Sequence, residues 1–344
     1  MNHDGTTYKA YLYLCGIAWA AAVLLGVTPA MAEPLDHHLP IVIERAKRAT
    51  VGILRNDQDA QYEAGQARFS LRGTGIHVGN GYIVTAQHAV MRTEAGEKVL
   101  PREITILTAD LDELPALLKD VNAFADLVVY QVSGEAAQTV VATALLADRE
   151  PEPGDEVFTV GYPLGRGPVV MFGRIGGLNT FLPTVESRLL QVDLFACSGN
   201  SGGGLFNAKG EIVGVVHAVI LTETVQGQGG CSRFAFAVPG VLVHRIMTAL
   251  IQGAQPSFSR LGVQLSAAKL GTRWRVAVAE PVGPALEAGI RTGDILLSIE
   301  NMEITDAAQL KTYLVERTVP GQRVAVRVLR GNNEHVLFVT LGTG

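Results

Sequence analysis

The sequence has no excess of basic residues and no place where they cluster. Its 28 Lys and Arg are dispersed among 33 Asp and Glu, giving a net charge of −5 over 344 residues. A surface that tracks a phosphate backbone needs a basic stripe, so nucleic acid is not an expected partner. Cysteine is scarce, with only Cys15, Cys197 and Cys231. Long apolar runs are scarcer still. The run from Ala10 to Val27 follows a short polar start with Lys9 and gives way to Pro29 and the small-residue pattern Ala30-Met31-Ala32. That layout predicts a secretory signal peptide over residues 1–32, cleaved after Ala32, and a periplasmic or secreted mature chain. The alternative is an uncleaved inner-membrane anchor facing the periplasm, since about 18 apolar residues can just span a bilayer. Cleavage removes Cys15 and leaves two cysteines, an even number that invites a disulfide in an oxidising compartment.

The length exceeds what one hydrophobic core usually serves, so two domains are expected. From about residue 50 to 240 the chain carries many short Val-, Ile- and Leu-rich runs, among them "TVGILR", "GTGIHVGNGYIVTA", "EITILTA", "DLVVYQV", "EVFTVGYP", "RLLQVDL", "EIVGVVHAVI" and "FAFAVPG". Gly, Pro, Asn and Asp separate them. Such spacing predicts an all-β sandwich or barrel. A helical stretch, "VLVHRIMTALIQ", then leads to a linker in "GAQPSFSR". The remaining residues mix strands with one helix around "DAAQLKTYLVER", the pattern of a smaller α+β domain. The expected boundaries are 33–252 for the first domain, 253–257 for the linker and 258–344 for the second.

One stretch asks for chemistry. "CSGNSGGGLF" surrounds Ser201 with glycines, each costing roughly 0.5–1 kcal/mol relative to alanine when fixed in one conformation. A turn alone needs fewer. A nucleophilic serine, in contrast, needs bare backbone N–H groups for the oxyanion that forms on attack. It also needs a neutral imidazole to take its proton and a carboxylate to orient that imidazole. His88, after "IVTAQ", and Asp126, before "LVVYQV", supply both types. His77 and His217 lie inside strand patterns and read as hydrogen-bonded structural histidines. His37, His38, His244 and His335 have no glycine-rich partner nearby. Asp110, Asp112 and Asp120 fall in a charged, solvated stretch.

Here the sequence resembles the trypsin/chymotrypsin-like proteases and, within them, the exported HtrA family. The matching pieces are "TAQHAV", "ADLVVYQV", "VGYPLG", "GNSGGGLFNAKGEIVGV", "FAFAVP" and a PDZ-like C-terminal domain. The resemblance implies a chymotrypsin-like double β-barrel followed by a small α+β PDZ domain. It implies His88 as general base, Asp126 as its orienting partner and Ser201 as nucleophile, with an oxyanion hole at Gly199, Asn200 and Ser201. No cofactor or metal is implied. The chain departs from the family in placing Ala86-Gln87 before the histidine, where an asparagine pair is usual. It also has Asn200 where digestive relatives carry the aspartate that pairs with a newly cut N-terminus, so activation of that type is not expected.

Between Leu194 and Ser201 there is no acidic residue to complement a buried Lys or Arg. Phe195, Val219 and Ile220 instead suggest a shallow apolar pocket for small or medium aliphatic residues. "RLGV" resembles the carboxylate-binding loop of PDZ domains, in which the N–H groups of Leu261, Gly262 and Val263 would cap a peptide C-terminus. In chymotrypsin-like enzymes the loops bearing Cys197 and Cys231 stand side by side, which implies a bridge between them; two buried free thiols are the alternative. Family members are commonly trimers held by aromatic residues near the mature N-terminus. Here that segment contains none, and Leu39, Ile41, Val42 and Ile43 are the substitute for a possible homotrimer. The expected function is an envelope serine endopeptidase acting on unfolded or misfolded proteins, with PDZ recognition of their C-termini. A latent peptide-binding scaffold and a membrane-anchored regulatory protease are the alternatives.

Overall fold

A computed structural model describes residues 38–54, 61–63, 66–68, 71–132, 134, 137, 142–182, 185, 187–219 and 230–344. The expected signal segment 1–32 lies outside the described residues. Helix α1 (Leu39–Ala49) leads into strand β1 (Thr50–Leu54), and the Thr50 hydroxyl donates back to the carbonyl of Ala46 at 2.8 Å. Residues Val42–Gly344 make one structural unit.

The first barrel continues with β2 (Leu71–His77), β3 (Tyr82–Ala86), β4 (Glu103–Leu107), β5 (Glu113–Asn122) and β6 (Leu127–Val132). The second comprises β7 (Glu156–Gly161), β8 (Val169–Thr180), β9 (Leu189–Cys197), β10 (Gly204–Asn207), β11 (Ile212–Val219) and β12 (Cys231–Pro239). The circular orders are β1-β2-β3-β6-β5-β4 and β7-β8-β9-β12-β11-β10, so both barrels close with the same wiring. This is the chymotrypsin-like architecture that the sequence resembles.

Strands such as "LVVYQV" form because runs of β-branched and aromatic residues suit a pleated surface buried against a core. Val51, Ile53, Ile83, Ile106, Val128 and Tyr130 fill the first barrel. Leu190, Val192, Leu194, Leu205 and Val213 belong to the core of the second. A further cluster joins the two, in which Ile76, Val84, Leu127 and Val129 of one barrel meet Phe158, Val160, Phe206 and Val215 of the other. Each fully buried side chain of this kind contributes about 1.5–3 kcal/mol, so the inter-barrel seam is a rigid floor for whatever is built on it. The short helix α2 (Gln87–Val90) follows β3, and helix α3 (Gly240–Ile251) packs Leu242, Val243, Ile246 and Leu250 into the same cluster.

The C-terminal domain has a sheet ordered β13 (Val263–Leu270), β14 (Arg273–Pro281), β15 (Ile295–Ile299), β16 (Arg323–Arg330) and β17 (Asn333–Thr340), with Met302–Glu303 pairing β15 off that path. Helices α4 (Pro284–Glu287) and α5 (Ala307–Arg317) complete it. Asp306 caps α5 by accepting from the Gln309 N–H at 2.8 Å. Among the described residues, no helix is long and apolar enough to cross a membrane.

Candidate active site

Strand pairing explains why His88 and Asp126 meet. Ala86, the end of β3, is paired with Leu127, the start of β6, so the residues just beyond each strand fall side by side. The Gln87 N–H donates to the carbonyl of Asp126 at 2.8 Å, and the His88 N–H donates to Asp126 Oδ1 at 3.0 Å. His88 Nδ1 is then 2.5 Å from Asp126 Oδ2. Asp126 adopts a left-handed backbone (φ 54°), a conformation aspartate tolerates better than most side chains, at the end of a turn held by Asn122. Burial pushes the Asp126 carboxyl up, but hydrogen bonds and charge from His217 and His88 outweigh it and hold the group below the ordinary carboxylate value. Asp120, a rival in the sequence, instead accepts from the Gln255 amide at 2.9 Å.

Ser201 is delivered from the second barrel across the seam. Its carbonyl accepts from the Thr74 N–H at 2.9 Å, while the Thr74 hydroxyl donates to the carbonyl of Gly199 at 2.6 Å. Both glycines beside the serine are needed for space as well as for conformation. A Cβ on Gly199 (φ 102°) would stand 2.4 Å from the Tyr162 carbonyl oxygen, and one on Gly202 (φ 85°) 2.1 Å from Thr85 Oγ1. The N–H groups of Asn200, Gly202 and Gly203 are used within the protein, by the carbonyls of Cys197, Val216 and Asn200. Among the described residues, those of Gly199 and Ser201 have no such partner. Asn200 is therefore corrected: its N–H is spent on Cys197 at 3.1 Å, and its Oδ1 accepts from the Cys197 N–H at 3.0 Å. It braces the loop and offers no donor to an oxyanion.

Cys197 and Cys231 are disulfide-bonded, as direct cross-strand partners on β9 and β12. The bridge fixes the strand end from which the serine loop departs. The expected pocket wall falls only partly within the described residues. Phe195 is 54% exposed on β9, nothing is described of the Val219 side chain, and Ile220 lies outside the described residues. In the C-terminal domain Leu261 is buried, the Gly262 carbonyl accepts from the Val282 N–H at 2.7 Å, and Val263 opens the edge strand β13.

Sequence reasoning read His217 as a structural histidine and did not foresee its place beside Asp126. It is 3% exposed on β11, its Nδ1 lies 2.9 Å from Asp126 Oδ2, and its ring meets that of His88 edge-on at 5.2 Å. Its carbonyl accepts the Ser201 hydroxyl at 3.2 Å. The three side chains His88, Asp126 and His217 offer atoms within 4.8 Å of one another, a donor set of the type that binds divalent ions. The spacing is wrong for one. Ligands around a tetrahedral zinc stand about 3.3 Å apart, whereas Oδ2 is 2.5 and 2.9 Å from the two nitrogens, which is hydrogen-bond contact.

Residues 73–215 match the family model of the trypsin-like peptidase domain, and residues 259–341 match that of the PDZ domain. The chain is a homologue of the HtrA-type serine proteases. A probable periplasmic serine endoprotease, DegP-like, of Brucella suis is 28% identical over 289 residues, 80% of this chain and 53% of the relative. The serine protease Do-like HtrB of Bacillus subtilis is 27% identical over 285 residues, 76% of this chain and 59% of the relative. The chain thus spans little more than half the length of these curated relatives. Among solved structures, the HtrA-type protease AlgW with a tripeptide is 25% identical, with a TM-score of 0.67, covering 89% of this chain and 97% of its own. The serine endoprotease from Yersinia pestis, with a TM-score of 0.60 and 24% identity over 90% of this chain and all of its own, supports the shared fold.

Proposed function

We propose that this HtrA homologue is a serine endopeptidase of the cell envelope that cleaves unfolded or misfolded proteins. The observation that carries the reading is the His88–Asp126 pair, with Nδ1 2.5 Å from Oδ2, next to His217, whose carbonyl accepts the Ser201 hydroxyl at 3.2 Å. Ser201 Oγ attacks the scissile carbonyl carbon and gives its proton to Nε2 of His88. Asp126 holds Nδ1–H and stabilises the imidazolium. The N–H groups of Gly199 and Ser201 receive the oxyanion, each worth about 3–4 kcal/mol in a site that excludes water. His88 then protonates the leaving amine, and water hydrolyses the acyl-enzyme by the same route. For this cycle the Ser201 hydroxyl must leave the His217 carbonyl and turn to the imidazole.

The PDZ domain extends the reading to recognition. Among the described residues, edge strand β13 has only β14 beside it and can accept a peptide as an added strand. The loop Leu261–Val263 then takes the terminal carboxylate. An envelope location accords with the periplasmic relatives and with the signal pattern. Digestion of unfolded casein by the full chain tests the reading. Wild type should cleave it, and Ser201→Ala and His88→Ala should lose at least about a thousandfold in rate while melting as wild type does. A wild type no more active than Ser201→Ala would leave a peptide-binding scaffold as the better description.

A further inference from the structure

The hairpin of β13 and β14 is longer than the sheet it belongs to. Its strands pair without a break from Leu265 and Val278 to Leu270 and Arg273, whereas β15 is paired with β14 only at Ala277 and Ile295. Ala268 with Arg275, Lys269 with Trp274 and Leu270 with Arg273 therefore form a ribbon that projects by about 10 Å at roughly 3.3 Å per residue. The turn at its end, Gly271 and Thr272, is exposed, and a Cβ on Gly271 would meet nothing within 4 Å.

A ribbon without neighbours gains little from packing, yet large apolar side chains stand at this one's tip. Trp274 is 65% exposed and Leu270 40%. Lys269, across from Trp274, places Nζ 5.9 Å from the ring centroid. Such a pair steadies the ribbon but covers at most one face of the indole and none of Leu270. From Gln264 to Ala279 the chain holds Lys269, Arg273 and Arg275 and no acidic residue, in a protein of net charge −5. Arg275 lies 3.8 Å from Glu303, and among the described residues Lys269 and Arg273 have no carboxylate partner. Three cations are too few for the stripe that a nucleic acid backbone needs.

They suit a lipid surface. Tryptophan settles at the headgroup level of a bilayer, long basic side chains reach the lipid phosphates from there, and each cation near an anionic leaflet adds to binding. We propose that the β13–β14 tip docks on an anionic phospholipid surface, with Trp274 and Leu270 in the headgroup layer and Lys269, Arg273 and Arg275 against the phosphates. The projection matches the roughly 5–10 Å to which interfacial segments bury their apolar side. Such surfaces lie beside any protein of the cell envelope, the location proposed above, and the inference holds whether or not the chain cuts protein. A peptide added to β13 would also pass this tip. Its pairing would use the backbone of β13, however, and gives no reason for the indole and both arginines to stand on β14, the strand farther from that free edge.

Residues 33–344 keep the whole unit Val42–Gly344 and contain Trp274 as their only tryptophan, so its emission reports on the tip directly. On vesicles of phosphatidylglycerol and phosphatidylcholine the emission should move to the blue and be quenched by bromines on the acyl chains. Phosphatidylcholine alone should bind at least about tenfold more weakly. Lys269→Gln combined with Arg273→Gln should raise the lipid concentration for the half-maximal shift about twenty-fivefold, at about fivefold for each cation. Leu270→Ser combined with Trp274→Ser, at exposed positions that leave the core intact, should reduce cosedimentation with the anionic vesicles about tenfold while melting as wild type does. Emission that stays unchanged on anionic vesicles, or equal cosedimentation of wild type and the Leu270→Ser, Trp274→Ser variant, would overturn the proposal. So would a shift caused by an acidic peptide with a free apolar terminus and not by the vesicles, which would assign the tip to peptide recognition.

Discussion

Arg188, at the head of β9, and Glu316, on the PDZ helix α5, form a two-pronged ion pair inside the protein. Nε and Nη2 each lie 2.6 Å from a Glu316 oxygen, and the two side chains are only 3% and 1% exposed. Glu150 contacts the same guanidinium and Nη1 donates to the Leu178 carbonyl, so burial, which lowers the basicity of Arg188, is outweighed by its carboxylate partners. A buried pair is costly to break from one side and cheap to replace whole. Glu316→Ala should destabilise the protein by about 3 kcal/mol, at the low end for such pairs because Glu150 remains. Arg188→Met combined with Glu316→Leu should recover most of that loss. Urea unfolding of the singles and the double checks this, and strictly additive losses would contradict it.

Acid should weaken the fold through His77. Its ring is buried, with Nδ1 on the Ala142 carbonyl at 2.8 Å and Nε2 accepting the Gly81 N–H at 3.1 Å, so it is held neutral. Burial lowers its proton affinity below the ordinary 6.5, against a smaller opposing effect of the Ala142 carbonyl. The unfolded chain therefore takes up this proton at a higher pH than the folded one, and stability present above pH 6.5 is lost as the pH falls below it. Unfolding free energy measured from pH 7.5 to 5 should decline less steeply in His77→Leu than in wild type. Parallel slopes would rule the effect out.

Reduction should act on turnover as well as on stability. The Cys197–Cys231 bridge closes a sequence separation of 34 residues, worth roughly 3–4 kcal/mol on the chain-entropy account. It also anchors the residue whose N–H and carbonyl hold Asn200, and so the loop that carries Ser201. With a reductant, cleavage of a small peptide substrate should drop while far-ultraviolet circular dichroism is still native. Full activity in a demonstrably reduced protein would dissociate the bridge from the site.

The PDZ loop makes a separate claim. Peptides ending in a free apolar residue should bind, and amidation should weaken them by about 1.5–3 kcal/mol, the value of hydrogen bonds to a charged carboxylate. Calorimetry on the full Ser201→Ala chain reads this directly. Equal affinities would mean that Leu261–Val263 does not hold the terminus.

Much of this architecture was legible in the sequence because buried strands announce themselves. "LVVYQV" and "LLQVDL" became β6 and part of β9, and helices α3 and α5 lie where the apolar spacing put them. Strands β5 and β8 were not recognised. Pro115, Lys119 and Asp120 interrupt one, glycines at 173, 176 and 177 interrupt the other, and each buries only a few side chains. His217, read as a buried structural histidine, is buried, but its place beside Asp126 was not foreseen. A period-of-two pattern says which face a residue takes only while the register holds, and the bulge that turns His217 into the site leaves no mark in composition. Asn200 could not be placed because the residue type does not say where an N–H points.

The repeated wiring of the two barrels has a last consequence. His88 and Asp126 belong to the first barrel, Ser201 and the bulged His217 to the second, and the Thr74 contacts tie the halves together. Neither half holds a working set of groups by itself. In any state in which one barrel has closed and the other has not, the serine is an ordinary alcohol. On the protease reading, a chain that emerges as a loose thread beside other loose threads is thus harmless to its own copies until its two halves have met.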